Sequence, residues 1–122
     1  MSSRKTVLIV EDSDELRGMF SDALTLAGYA VRQAADGLDA LRLLDADPPD
    51  AVVLDLGLPH VNGYDVLFEL RQHGHTRRIP VVIVTGSPDP VEGVVAACLL
   101  RKPIRAEDLV RTVQNCFETG SD

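Results

Sequence analysis

A chain of 122 residues holds one ordinary domain with a real core and is too short for two. Its 45% hydrophobic content excludes a disordered chain, and no apolar run approaches the roughly 20 residues that cross a bilayer. The formal charge of −7 argues against direct nucleic-acid binding, which calls for a basic surface. Met1-Ser-Ser-Arg-Lys5 is basic, but the apolar run Val7 to Val10 that follows is too short for a signal peptide, so a cytoplasmic protein without membrane insertion is expected. Cys98 and Cys116 have no CxxC spacing and read as reduced cysteines in or near the core.

Along the chain, strand and helix patterns alternate, the signature of an α/β domain with a parallel sheet. The first strand covers 6–10 and ends on Glu11 and Asp12. A helix follows, with Ser13 or Asp14 as N-cap and Leu16, Met19, Phe20, Ala23, Leu24 and Ala27 at helical spacing. Gly28 stops it as a C′ residue. Residues 29–34 form a second strand, and Asp36-Gly37 a turn. Leu38, Leu41 and Leu44 mark a second helix that Pro48-Pro49 ends. The third strand, 51–54, runs into Asp55. A loop to Asn62 leads to a third helix with Val66, Leu67 and Leu70 inward.

Pro80 precedes the fourth strand, 81–84. Between Thr85 and Lys102 the two prolines of Gly86-Ser-Pro-Asp-Pro90 forbid regular helix. If 98–101 is the fifth strand, only 91–97 remains for a fourth helix, and Gly93 weakens it, so this helix is expected to be short, distorted or absent. A terminal helix carries Leu109, Val110, Val113 and Phe117 on one side.

Right-handed βα units place the ends of these strands along one rim, which gathers Glu11, Asp12, Asp55, Thr85 and Lys102. That edge of an open α/β sheet is where ligands bind. Like charges 4 Å apart repel by roughly 4 kcal/mol at an effective dielectric near 20, so three clustered acids need a compensating cation, lysine or proton. Three carboxylates make a hard oxygen site suited to Mg²⁺. A carboxylate kept ionised there can attack phosphorus, with Lys102 and the Thr85 hydroxyl meeting the phosphoryl oxygens.

At these residues the chain resembles the receiver domains of two-component response regulators and hybrid histidine kinases. The pieces are Glu11-Asp12, Asp55-Leu-Gly-Leu-Pro59 with Asn62-Gly63, Thr85-Gly86 and Lys102-Pro103, spread from about Lys5 to Phe117. The resemblance implies a doubly wound (βα)₅ fold of the flavodoxin/CheY-like kind, a five-stranded parallel sheet in the order 2-1-3-4-5. It covers about 5–117 of what is expected to be one receiver domain over 1–122, and because the chain stops soon after the last helix no output domain is expected.

By the same resemblance Asp55 is the phosphoacceptor, served by a histidine kinase or a histidine phosphotransfer protein and read by a downstream protein target. Glu11, Asp12, Asp55 and the Gly57 backbone carbonyl hold Mg²⁺ or Mn²⁺. Read as adjacent acids at the start of the first helix, Asp12 is expected to sit deeper than Glu11. Lys102 pairs with Asp55, Thr85 meets the phosphoryl group, Gly86 and Pro103 shape the site, and Lys102-Pro103 is cis. Turnover is confined to self-phosphorylation and autodephosphorylation, so no enzyme acting on a separate substrate is expected. Gly57 and Ser87 stand where family side chains tune the phosphoryl lifetime.

Two positions depart from the family. Leu99 stands where an aromatic residue usually couples to the threonine, and the short fourth helix alters the face through which many regulators dimerise. A monomer or weak dimer is therefore expected. The alternative is a receiver-like interaction module that is not phosphorylated. An aspartyl phosphatase is disfavoured because Gly57 stands where that class carries a second acid. His60 reads as a solvent-facing loop residue, Gly63 as a helix-start glycine, and Tyr29 and Tyr64 as core or rim aromatics. Arg71, His73, His75, Arg77 and Arg78 read as a solvated basic cluster.

Overall fold

A computed structural model of the chain describes residues 4–86 and 98–119. The elements run β1 (Thr6–Val10), α1 (Asp14–Leu26), β2 (Ala30–Ala34), α2 (Gly37–Ala46), β3 (Ala51–Asp55), α3 (Gly63–Gln72), β4 (Val81–Thr85), β5 (Cys98–Arg101) and α4 (Ala106–Thr119). The five strands are parallel, in the order β2-β1-β3-β4-β5. This is the α/β sheet expected from the alternation of patterns. The fourth helix expected over 91–97, and Ser87 with it, lie outside the described residues.

Alternation along the strands splits the core into two layers. Leu8, Val10, Val52, Leu54, Val81 and Ile83 meet Ala40 and Leu44 of α2 and Val66, Leu67 and Leu70 of α3. Val7, Ile9, Val53, Val82 and Val84 meet Phe20 and Leu24 of α1 and Leu109, Val113 and Cys116 of α4. The central strands β1, β3 and β4 are covered on both faces, which is why they read as unbroken apolar runs.

Local signals set the helix ends. Ser13, not Asp14, caps α1, its hydroxyl accepting the Leu16 N–H at 3.2 Å. At the other end Gly28 takes φ 104°, with Gly28 N–H on the Thr25 carbonyl and Tyr29 N–H on that of Leu24, a Schellman closure. Asp36 and Asn62 cap α2 and α3 through the N–H groups of Asp39 and Asp65.

Some inward positions expected from spacing turn outward. Met19, Ala27 and Leu38 are exposed, because α1 and α2 bury narrower stripes than their apolar residues span. Strand limits shift too. β2 starts at Ala30, leaving Tyr29 to pack on Phe117 at 5.5 Å between ring centres. β3 and β4 each extend one residue further, so Asp55 and Thr85 are held as strand residues and not as loop residues.

Candidate phosphoacceptor and metal site

The C-terminal ends of β1, β3, β4 and β5 converge at one rim. Asp55, the last residue of β3, is paired in register with Val84, so the ladder fixes its backbone. Glu11 follows β1, and its N–H still bonds the Ala34 carbonyl of β2 at 3.1 Å. Thr85 closes β4, and its carbonyl accepts the Lys102 N–H at 2.7 Å, which ties the end of β4 to the residue after β5. The Lys102–Pro103 peptide is cis.

Carboxylate oxygens of Glu11, Asp12 and Asp55 lie within 4.8 Å of one another. Among the described residues no other set of three potential metal ligands gathers in this way. Glu11 is 2% exposed and Asp55 6%, whereas Asp12 faces solvent. The expectation that Asp12 lies deeper than Glu11 is thus reversed. Glu11 continues the line of β1 beneath the loop, and Asp12 is the first residue to turn out of the sheet.

The Lys102 ammonium bridges the two buried acids, 2.7 Å from Glu11 Oε1 and 3.3 Å from Asp55 Oδ2. The shorter contact, to Glu11, joins the pairing with Asp55 that the sequence leads one to expect. The remaining oxygens are held by backbone: Glu11 Oε2 accepts Ser13 N–H at 3.0 Å, and Asp55 Oδ1 accepts Gly57 N–H at 3.0 Å. Burial raises the Glu11 carboxyl above its ordinary 4.5, and the Asp55 charge adds to that against the opposing contacts of Lys102 and Ser13. For Lys102 burial works against the ammonium, but the Glu11 hydrogen bond and the Asp55 and Glu11 charges outweigh it and raise the group above 10.5.

One ammonium faces three carboxylates, which leaves a surplus of negative charge on hard oxygen donors. That donor set fits Mg²⁺ or Mn²⁺, which take one or two carboxylates and keep waters. Beside it Leu16, Phe20, Gly86, Lys102, Pro103 and Ile104 line an open hollow of about 330 Å³. Gly86 leaves room there, since a Cβ would approach only the Lys102 Cδ, at 3.9 Å.

Close backbone approaches shape the loop after Asp55. A Cβ on Gly63 would overlap the Asp55 carbonyl oxygen and the Leu56 Cα, and one on Gly37 would overlap the Val61 carbonyl oxygen. Gly63 is therefore more than a helix-start residue. Gly37 looks like an ordinary Asp-Gly turn in the sequence, where nothing reveals the distant loop it makes room for. His60 is exposed, with φ 65°. Leu99 is 38% exposed on β5, in register with Ile83.

Arg71 does not fit the solvated cluster read from the sequence. Its Nη1 donates to the carbonyls of Arg77 at 2.8 Å and Ile79 at 2.9 Å, closing the α3–β4 turn. Arg17 escaped the sequence reading altogether. Its place four residues after the Ser13 cap puts it one helical turn above the acidic pair, and its Nη1 donates to the Glu11 carbonyl at 2.8 Å.

The family model for the response regulator receiver domain matches residues 7–114. The polar-differentiation response regulator DivK of Brucella anthropi is 30% identical over 116 residues, covering 91% of this chain and 94% of DivK. The transcriptional regulatory protein AfsQ1 of Streptomyces coelicolor is 36% identical over 90 residues. Those residues are 74% of this chain and 39% of AfsQ1, and a further Vibrio cholerae relative is matched over 20% of its length. The solved structure of the chemotaxis response regulator CheY4 of Vibrio cholerae superposes with a TM-score of 0.86 at 30% identity, covering 93% of this chain and 98% of CheY4. This chain belongs to the response regulator receiver domain family of two-component signal transduction.

Proposed function

We propose that Asp55 accepts a phosphoryl group from a phosphohistidine on a histidine kinase or a histidine phosphotransfer protein. The observation that carries this reading is the Lys102 ammonium bridging two buried acids of a three-carboxylate cluster at the strand ends. Glu11, Asp12, Asp55 and the Gly57 carbonyl would hold Mg²⁺ or Mn²⁺, which when bound supplies charge cancellation for the phosphoryl oxygens.

An Asp55 carboxylate oxygen attacks phosphorus. The new P–O bond forms as the P–N bond to the donor imidazole breaks, and the electron pair leaves on that nitrogen. Lys102 pairs with Asp55 beforehand and meets a phosphoryl oxygen afterwards. Thr85, buried at the end of β4, donates its hydroxyl to another. Water later releases the group as phosphate, so the chain turns over no separate substrate.

The phosphoryl group biases a surface that a downstream protein reads. Leu99 on β5 offers no ring to rotate, so that coupling takes another route than the familiar aromatic one. The 122 residues act as one receiver unit, as a cytoplasmic monomer or weak dimer.

Incubation with acetyl phosphate or phosphoramidate and Mg²⁺, followed by intact mass, tests this. Wild type should gain one acid-labile phosphoryl group and Asp55→Asn none. An unlabelled wild type, under conditions that label a control receiver, would favour the non-phosphorylated interaction module.

A further inference from the structure

We infer that Arg17 is a positioning residue for cation binding, acting through the peptide that joins Glu11 to Asp12. The inference rests on the Mg²⁺ reading of the site above. Three nitrogens of the side chain are engaged in three directions. Nη1 donates to the Glu11 carbonyl at 2.8 Å, Nε donates to Gln33 Oε1 on β2 at 3.2 Å, and Nη2 is paired with Asp14 Oδ1. Gln33 is itself anchored, its Nε2 donating to Ser21 Oγ at 3.1 Å. The side chain is only 16% exposed, so α1, β2 and the β1–α1 loop are pinned together by one planar fork.

The peptide unit is planar, so a hydrogen bond on the Glu11 carbonyl also fixes the direction of the Asp12 N–H. That plane sets where the Asp12 side chain leaves the backbone. Glu11 has other anchors, since Lys102 and Ser13 hold its carboxylate and Ala34 holds its N–H. Asp12 is exposed, and among the described residues its carboxylate has no partner. The aim of Asp12 toward the other two acids therefore depends on the peptide that Arg17 holds.

Arg17 also carries a positive charge close to the cluster. Acting by charge alone it would repel a metal cation, and its removal would tighten binding. Acting by position, its removal loosens Asp12 and weakens binding. The two roles predict opposite signs.

Calorimetric titration of Mg²⁺ into wild type, Arg17→Ala, Arg17→Lys and Gln33→Ala separates them, with thermal unfolding run beside it. The dissociation constant for Arg17→Ala should rise about tenfold, as removal of an outer partner of a metal ligand typically does. Arg17→Lys should rise nearly as much, because an ammonium keeps the charge and loses the fork. Gln33→Ala, at an exposed position on β2, should show a smaller rise. With acetyl phosphate, phosphorylation should shift to higher Mg²⁺ with an unchanged rate at saturation, which a purely structural defect would not produce.

Unchanged or tighter Mg²⁺ binding by Arg17→Ala, or wild-type binding by Arg17→Lys, overturns the inference and leaves the site reading intact. If Arg17→Ala does not fold, Gln33→Ala decides, and unchanged binding there overturns the inference. A wild type that binds no Mg²⁺ overturns the site reading and this inference with it.

Discussion

Two corners of the molecule carry clustered charged or polar side chains against the sheet, and they meet their electrostatic needs in opposite ways. At the α3–β4 turn, Arg71 donates to two backbone carbonyls, and the Thr76 hydroxyl donates to the Leu70 carbonyl at 2.6 Å. Burial pushes the Arg71 guanidinium below its ordinary value, and these hydrogen bonds tie α3 to the turn that follows it. At the other end of the sheet, Glu11 and Asp55 share the Lys102 ammonium, Asp12 stands beside them, and the cluster is left with surplus charge. Polar groups that the fold consumes are structural, and donors left in surplus are free to take a ligand. That difference, not the mere presence of charge, separates a site from a staple.

The comparison can be broken by mutation, and the largest effect belongs to Asp55. Asp55→Asn should abolish phosphoryl uptake, measured by intact mass, while the fold holds or gains in thermal stability because one buried charge is gone. Retained labelling on another residue would undo the assignment. Gly63→Ala comes next, since its Cβ would overlap the chain at Asp55 and Leu56. Overpacking of this kind costs about 1–3 kcal/mol, and chemical denaturation should find it together with weakened Mg²⁺ binding.

The staple should respond differently. Thr76→Val removes the hydroxyl bond to the Leu70 carbonyl and should cost about 1 kcal/mol, with Mg²⁺ binding unchanged. A matching loss of Mg²⁺ affinity would show that the two corners are not independent.

The smallest effect is a pH dependence. Burial raises the Glu11 carboxyl in the folded state above 4.5, so its stabilising contribution is full below pH 4.5 and is lost as pH rises through the folded value. In EDTA, unfolding midpoints of wild type should decline across that window relative to Glu11→Gln. Mg²⁺ should flatten the decline, because a bound cation favours the ionised carboxylate. A wild-type curve parallel to that of Glu11→Gln would remove burial of this acid from the account.

Much of this was legible in the chain. Continuous apolar runs announced β1, β3 and β4, because strands covered on both faces have no polar side to show. The acids were visible because each follows such a run. Depth was not visible: Glu11 and Asp12 are adjacent acids, and only the pairing of Glu11 N–H with Ala34 shows which one stays in line with the sheet. Contacts distant in sequence were equally hidden, as with Gly37 against Val61 and Arg17 against the Glu11 carbonyl. Arg71 misled for a related reason. A basic run after a helix looks solvated until the turn it closes supplies the carbonyls.

The central claim is that the surplus carboxylates at the strand ends are cation ligands. Calorimetric titration of Mg²⁺ into wild type and Asp55→Asn at fixed ionic strength tests it most directly. The account predicts one ion per chain for wild type and a much weaker or absent isotherm for Asp55→Asn. Binding of equal strength in both, or no binding to wild type, would contradict it.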